Sequence, residues 1–132
     1  MANALRIPAD LRPLVLVVED ELLLSDIIAD ELEDAGYRVI TSLTGEEGLI
    51  VLEGPDPVDL LFTDIRLPGK VDGWRLAEAA RSLRPGLPIV YASGYSVEQP
   101  REVPGSRFLT KPYRPSALVT VFEQLGVVGQ PE

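Results

Sequence analysis

The residues of this sequence that could do chemistry each stand directly behind a short apolar run. Leu14-Val15-Leu16-Val17-Val18 leads into Glu19-Asp20, and Val58-Asp59-Leu60-Leu61-Phe62-Thr63 leads into Asp64. Leu87-Pro88-Ile89-Val90-Tyr91-Ala92 leads into Ser93-Gly94, and a weaker run, Ser106 to Thr110, leads into Lys111. If these runs are parallel strands of one open sheet, their carboxyl ends face a common crevice, which is where such sheets bind ligands. Three carboxylates would then converge, and a single lysine cannot offset their repulsion. A hard divalent cation can. Mg2+ prefers oxygen ligands and is typically held by one or two carboxylates plus phosphate oxygens. The set therefore reads as a Mg2+ site that expects a phosphoryl group. Asp64 lies between the others and is the candidate nucleophile, since a carboxylate attacking a phosphoryl donor yields an acyl phosphate. Glu19 and Asp20 would hold the metal, Lys111 would pair with a phosphoryl oxygen as a point charge, and Ser93 would donate a hydrogen bond.

Taken singly, each residue has an ordinary structural reading. Asp20 could cap a following helix, Ser-Gly is a common turn pair, and a surface lysine is usually just solvated. Trp74 and Tyr95 are more often packing residues than ligand contacts. The joint placement at four strand ends favours chemistry.

Composition narrows the field further. The chain has 132 residues with neither Cys nor His, which removes thiolate and imidazole metal sites and every Ser-His or Cys-His catalytic pair. Twelve Lys+Arg against twenty-one Asp+Glu give a net charge of −9, a surface that repels nucleic-acid phosphates and anionic lipid. The longest aliphatic run is far short of the roughly 18 residues of a membrane span, and residues 1–13 carry no signal-peptide pattern. The expectation is a soluble cytoplasmic protein with no nucleic-acid or membrane partner.

The elements that must position these groups follow from periodicity. Aliphatic runs without alternation suit strands buried on both faces, with Tyr37 to Ser42 as a further strand. Leu24, Ile27, Ile28, Leu32 and Ala35 have helical spacing closed by Gly36. Gly45 to Glu53 reads as a helix capped by Thr44, Trp74 to Leu83 as another behind Asp72-Gly73, and Leu118 to Leu125 as a last one closed by Gly126. Alternating strands and helices predict an α/β fold, a doubly wound parallel sheet with helices on both faces. The domain is expected over residues 14–126, with an N-terminal extension at 1–13 and a C-terminal tail at 127–132. Between the fourth and fifth strands, Pro100 and Pro104 predict a fourth helix that is short or irregular.

The set Val17-Val18-Glu19-Asp20-Glu21, Asp64 with Leu67-Pro68 and Asp72-Gly73, Ser93-Gly94, and Lys111-Pro112-Tyr113 resembles the receiver domain of two-component response regulators, from about Leu14 to Leu125. The resemblance implies a five-stranded flavodoxin/CheY-like sheet in the order 2-1-3-4-5. It also implies Mg2+-dependent phosphoryl transfer from a histidine kinase or histidine phosphotransfer protein to Asp64, followed by a switch in surface shape that a downstream protein partner reads. On the same footing, Glu19 and Asp20 match the metal-binding acidic pair and the Arg66 backbone carbonyl the position that completes the metal shell. Ser93 and Lys111 match the switch hydroxyl and the lysine, Phe108 the aromatic that swings inward, and the Lys111–Pro112 bond is expected cis.

Some features depart from the family pattern. The Asp64 to Gly73 segment is one residue longer, with Gly69-Lys70-Val71 in the gap. Phe108 lacks a tyrosine hydroxyl, and Arg66 sets a cation beside the site. Ser93-Gly94-Tyr95 and the two prolines look like a receiver subgroup that is often a stand-alone single domain, and the starting Met suggests a natural N-terminus. A haloacid-dehalogenase-type phosphatase would need Asp where Arg66 stands, a flavodoxin would not place Glu19-Asp20-Glu21 against a phosphate, and no P-loop string exists. The remaining alternative is a receiver-like interaction module that works without phosphorylation.

Overall fold

The computed structural model describes residues 11–94 and 101–131. In chain order the elements are β1 (Leu14–Val18), α1 (Leu22–Asp34), β2 (Arg38–Ser42), α2 (Gly45–Glu53), β3 (Leu60–Asp64), α3 (Gly73–Leu83), β4 (Ile89–Ser93), β5 (Arg107–Thr110) and α4 (Pro115–Gln124). The strands form one parallel sheet in the order β2-β1-β3-β4-β5. This is the expected doubly wound α/β architecture.

Alternate residues of each central strand feed two separate cores, which explains the unbroken aliphatic runs. Val15, Val17, Leu60, Phe62, Val90 and Ala92 pack with Ile28 and Leu32 of α1 and with Leu118 and Phe122 of α4. On the other face Leu14, Leu16, Val18, Leu61, Ile89 and Tyr91 pack with Leu52 of α2 and with Trp74, Leu76, Ala77 and Ala80 of α3. Among the described residues, two helices thus cover each face.

Helix starts are set by local chemistry. The Thr44 hydroxyl accepts from the Glu47 amide, while the Glu47 carboxylate accepts from the Leu43 amide, so α2 begins with reciprocal capping. Asp72 caps α3 through the Arg75 amide at 2.9 Å. At α1 the cap position belongs to Glu21, with no side-chain cap bond, so Asp20 does not serve as a helix cap.

Between β4 and β5, residues 101–106 form turn and irregular backbone with no helix. Tyr95, Pro100 and the other residues of 95–100, the first part of the segment expected to carry the irregular fourth helix, lie outside the described residues. Residues 127–131, set apart in sequence as a tail, run back along the domain. Val127 is buried, its carbonyl accepts from the Tyr37 hydroxyl at 2.7 Å, and the Gln130 amide donates to the Gly36 carbonyl at 2.9 Å. Among the described residues no helix is long and apolar enough to cross a membrane.

Candidate metal and phosphoryl site

The chain leaves β1 for β2 on one side of the sheet and then returns to start β3 on the other. The gap between the β1 and β3 carboxyl ends is the switch point at which open α/β sheets bind ligands. The register pairs Val18 with Thr63, so Glu19 and Asp64 emerge side by side. Asp64 in turn pairs with Ala92, and Ser93 with Thr110, which brings Ser93 and Lys111 to the same rim. The Lys111 amide donates to the Ser93 carbonyl at 2.8 Å, tying those two ends together. The Lys111–Pro112 peptide is cis.

Glu19, Asp20 and Asp64 each offer a carboxylate oxygen within 4.8 Å of the others. Glu19 and Asp64 are buried, whereas Asp20 stands exposed at the crevice mouth. The Lys111 ammonium reaches Asp64 Oδ1 at 2.9 Å and Glu19 Oε1 at 3.3 Å. Glu19 Oε2 also accepts from the Glu21 amide at 3.0 Å. The electrostatics follow from this crowding. Burial, and then the hydrogen bond with Asp64, push the Glu19 carboxyl above its ordinary value. Although Asp20 is exposed, partial loss of water on its crevice side and the hydrogen bond with Glu19 raise its carboxyl too. For Lys111, burial disfavours the ammonium, but bonding to Asp64 and attraction to Asp64 and Glu19 outweigh it and raise its pKa.

Three carboxylates with one ammonium are a hard-oxygen donor set with surplus negative charge, which fits Mg2+. Softer metals would want nitrogen or sulfur ligands, and the chain has none to offer on His or Cys side chains.

The same crevice is lined by Arg66, Lys70, Trp74, Ser93 and Arg101. Ser93 is half-buried and Arg66 exposed. The loop from Asp64 to α3 closes tightly: the Gly73 amide donates to the Ile65 carbonyl at 2.8 Å, and any side chain at Gly73 would overlap the Asp64 backbone. Phe108 lies on the neighbouring edge strand, 39% exposed, its ring centroid 5.1 Å from Tyr91 and 5.8 Å from Trp74. It is not part of the polar cluster.

A family model described as the response regulator receiver domain matches residues 15–123. The chain belongs to this family. It is a receiver domain, and the domains of this family are signalling phosphoacceptors of two-component systems. Among solved structures it is similar to a response regulator receiver protein from Sinorhizobium medicae, with a TM-score of 0.83 and 33% identity over 87% of this chain and 94% of that one. The receiver domain of the hybrid histidine kinase CckA gives a TM-score of 0.74 at 34% identity, covering 85% and 97% of the two chains. A probable transcriptional regulatory protein of Picosynechococcus is 34% identical over 129 residues, which are 90% of this chain and 51% of that protein. The alkaline phosphatase synthesis transcriptional regulatory protein PhoP of Bacillus subtilis is 33% identical over 76% of this chain and 43% of its own length. The chain thus spans about half the length of these curated relatives. Receiver domains of this family interact with histidine kinases and with downstream effectors.

Side-chain contacts that sequence patterning missed surround this site. Glu46 reaches the site loop from α2, and the Tyr91 hydroxyl accepts from the Val103 amide at 3.2 Å. Both join residues distant in sequence, and no periodicity marks them.

Proposed function

We propose that Asp64 is the phosphoacceptor and that Glu19, Asp20, Asp64 and the Arg66 backbone carbonyl hold Mg2+. The observation that carries this reading is the buried Asp64 carboxylate, 2.9 Å from Lys111 and within 4.8 Å of two further carboxylates at the sheet switch point. When bound, the metal supplies positive charge that offsets repulsion between the acidic cluster and the incoming phosphoryl group.

An Asp64 oxygen attacks the phosphorus of a phosphohistidine on a kinase or phosphotransfer protein. The phosphorus–nitrogen bond breaks, and the imidazole nitrogen leaves with the electron pair and takes up a proton. Lys111 swings its attraction from the Asp64 carboxylate to a phosphoryl oxygen, and Ser93 donates a hydrogen bond to another. Since the Lys111 amide is bonded to the Ser93 carbonyl, both groups move with the β4 and β5 ends, and Phe108 on the edge strand responds. Water attack on the phosphorus of the acyl phosphate, assisted by the same groups, breaks its bond to the Asp64 oxygen, releases inorganic phosphate and returns the Asp64 carboxylate. The downstream partner is a protein that reads this edge, and these encounters take place in the cytoplasm. The contact-only module is not favoured, because the acidic pair, Asp64 and Lys111 are all present and in mutual reach.

Intact mass after incubation with acetyl phosphate and Mg2+, beside Asp64→Asn, tests the proposal. One phosphoryl group is expected on the wild type, none on the variant and none with EDTA. A gain that survives in Asp64→Asn would assign the wrong nucleophile.

A further inference from the structure

The loop between β3 and α3, residues 65–72, is held by contacts from both neighbouring helices. Two adjacent glutamates at the start of α2 divide the work. Glu47 turns back to the Leu43 amide and completes its own helix cap. Glu46 leaves the helix, and its Oε2 accepts from the Lys70 amide at 3.0 Å, across 24 residues of sequence. The Glu46 carboxyl is held below its ordinary value, first by the Lys70 amide, with the Val71 amide adding to it. At the same residue, on the next peptide unit, the Arg75 guanidinium approaches the Lys70 carbonyl at 3.4 Å, a long contact.

Two glycines make this approach possible. Gly69 has φ +84°, and a Cβ there would lie 2.6 Å from Glu46 Oε2. At Gly45, the first residue of α2, a Cβ would collide with the Val71 carbonyl. The loop is therefore pinned at its base by Gly73 to Ile65, at Val71 by the α2 backbone, and at Lys70 by Glu46. What lies between the Asp64 carboxylate and these pins is the short stretch that contains Arg66.

We propose that Glu46 is a positioning residue for phosphoryl transfer at Asp64: by holding the Lys70 amide it fixes the 65–72 loop and keeps the Arg66 carbonyl where it can join the metal shell. This rests on the site reading above. Glu46 touches neither metal nor phosphoryl group; it acts through the loop backbone. The helix that carries it packs on α3, so the tether joins α2, the loop and α3 into one support. Groups that orient metal ligands from outside are worth roughly 10–100-fold in affinity when enclosed. Glu46 is exposed, so its removal is worth less, roughly three- to tenfold.

The test compares wild type, Glu46→Ala, Glu46→Gln and Gly69→Ala. Two quantities are read: the Mg2+ concentration for half-maximal labelling by acetyl phosphate, and the labelling rate at saturating Mg2+. Trp74 fluorescence, the only tryptophan signal and one that lines the crevice, gives Mg2+ affinity without turnover. Glu46→Ala is expected to raise the half-maximal Mg2+ concentration three- to tenfold with a smaller change in the saturated rate. Glu46→Gln keeps an acceptor oxygen and should recover most of the loss. Gly69→Ala should reproduce the defect with Glu46 in place. A purely structural role would lower the melting temperature and leave the Mg2+ midpoint unmoved, and that result overturns the proposal. Equal defects in Ala and Gln variants also overturn it, since charge rather than the hydrogen bond would then be responsible. A wild type that gains no phosphoryl group refutes the site reading and takes this proposal with it; a labelled wild type beside an unchanged Glu46→Ala refutes this proposal alone.

Discussion

Replacing Lys111 by Met removes the ammonium and keeps most of the side-chain volume, which isolates the charge. In the structure that ammonium lies 2.9 Å from Asp64 and 3.3 Å from Glu19, with the lysine side chain 28% exposed and the carboxylates 8% and 3%. At an effective dielectric of about 20, each contact is a raw attraction of about 5–6 kcal/mol. Most of that is cancelled by the cost of taking three charges out of water. Breaking a fully buried pair costs about 3–5 kcal/mol, and the partly exposed lysine puts this case lower, at about 2–3 kcal/mol. For a domain of this size that is a fall in Tm of about 8–12 °C. Mg2+ should then do more for the variant than for the wild type. In the wild type the ion must compete with the ammonium for the same oxygens; in Lys111→Met it meets them uncompensated. A ligand at roughly 100 times its Kd contributes about 2.7 kcal/mol, enough to restore most of the loss. Thermal unfolding at pH 7.5 with EDTA and with excess Mg2+ measures both effects, and acetyl phosphate labelling of the variant should be slow even when Mg2+ is saturating. A Tm within 2 °C of wild type in EDTA, or equal Mg2+ shifts in the two proteins, would refute the reasoning.

Other outcomes follow from single contacts. Arg66 is exposed at the crevice mouth, so Arg66→Ala should open the acyl phosphate to water and shorten its half-life roughly two- to fivefold, measured by loss of the phosphorylated mass after donor removal. Asp72→Ala removes the α3 cap and should cost about 1 kcal/mol, a fall in Tm of about 4 °C, with Asp64 still labelled. Burial raises the pKa of Tyr37 and Tyr91, so above pH 10 the folded protein keeps protons that the unfolded chain has released. Stability should therefore fall as pH rises past 10, by up to about 1.4 kcal/mol per pH unit for each group. Urea midpoints at pH 9, 10 and 11 should show this, with a shallower decline in Tyr37→Phe.

What could be read from sequence was whatever repeats or punctuates. The aliphatic runs marked strands because both faces of the sheet are covered, and their acidic ends sat beside one another because parallel strands share a carboxyl edge. Thr44 announced one helix start as a cap, whereas Asp72 was legible only as part of the Asp72-Gly73 turn and proves in the structure to cap the next helix. Asp20 was ambiguous for the same local reason: a carboxylate before a helix reads as a cap, and only the three-dimensional position of Glu21 removes that reading. The docking of residues 127–131 depends on Tyr37, 90 residues from Val127, and on close backbone approach at Gly36 and Gly129. Nothing in the tail's own composition signals it. Phe108 could be matched to a family position, but its edge-on contact with Trp74 and tilted contact with Tyr91 are products of strand register.

The burial of Glu19 and Asp64 is itself informative. Two carboxylates facing each other out of water work against folding, and an apolar pair in their place would be as stable or more so. Their cost is met only as a set, with Lys111 between them, the Glu21 amide on Glu19, and Asp20 left in solvent where its charge is screened. This division also suits reactivity. The buried carboxylate at Asp64 has little hydration to shed when it meets phosphorus, while the exposed one at Asp20 leaves an open side by which a hydrated cation can approach. Burial and the neighbouring Asp64 carboxylate both raise the Glu19 carboxyl; added positive charge offsets them, and added negative charge alone works in the same direction as they do. Cation and phosphoryl group are thereby coupled at this site, each favouring the other through the charge it brings.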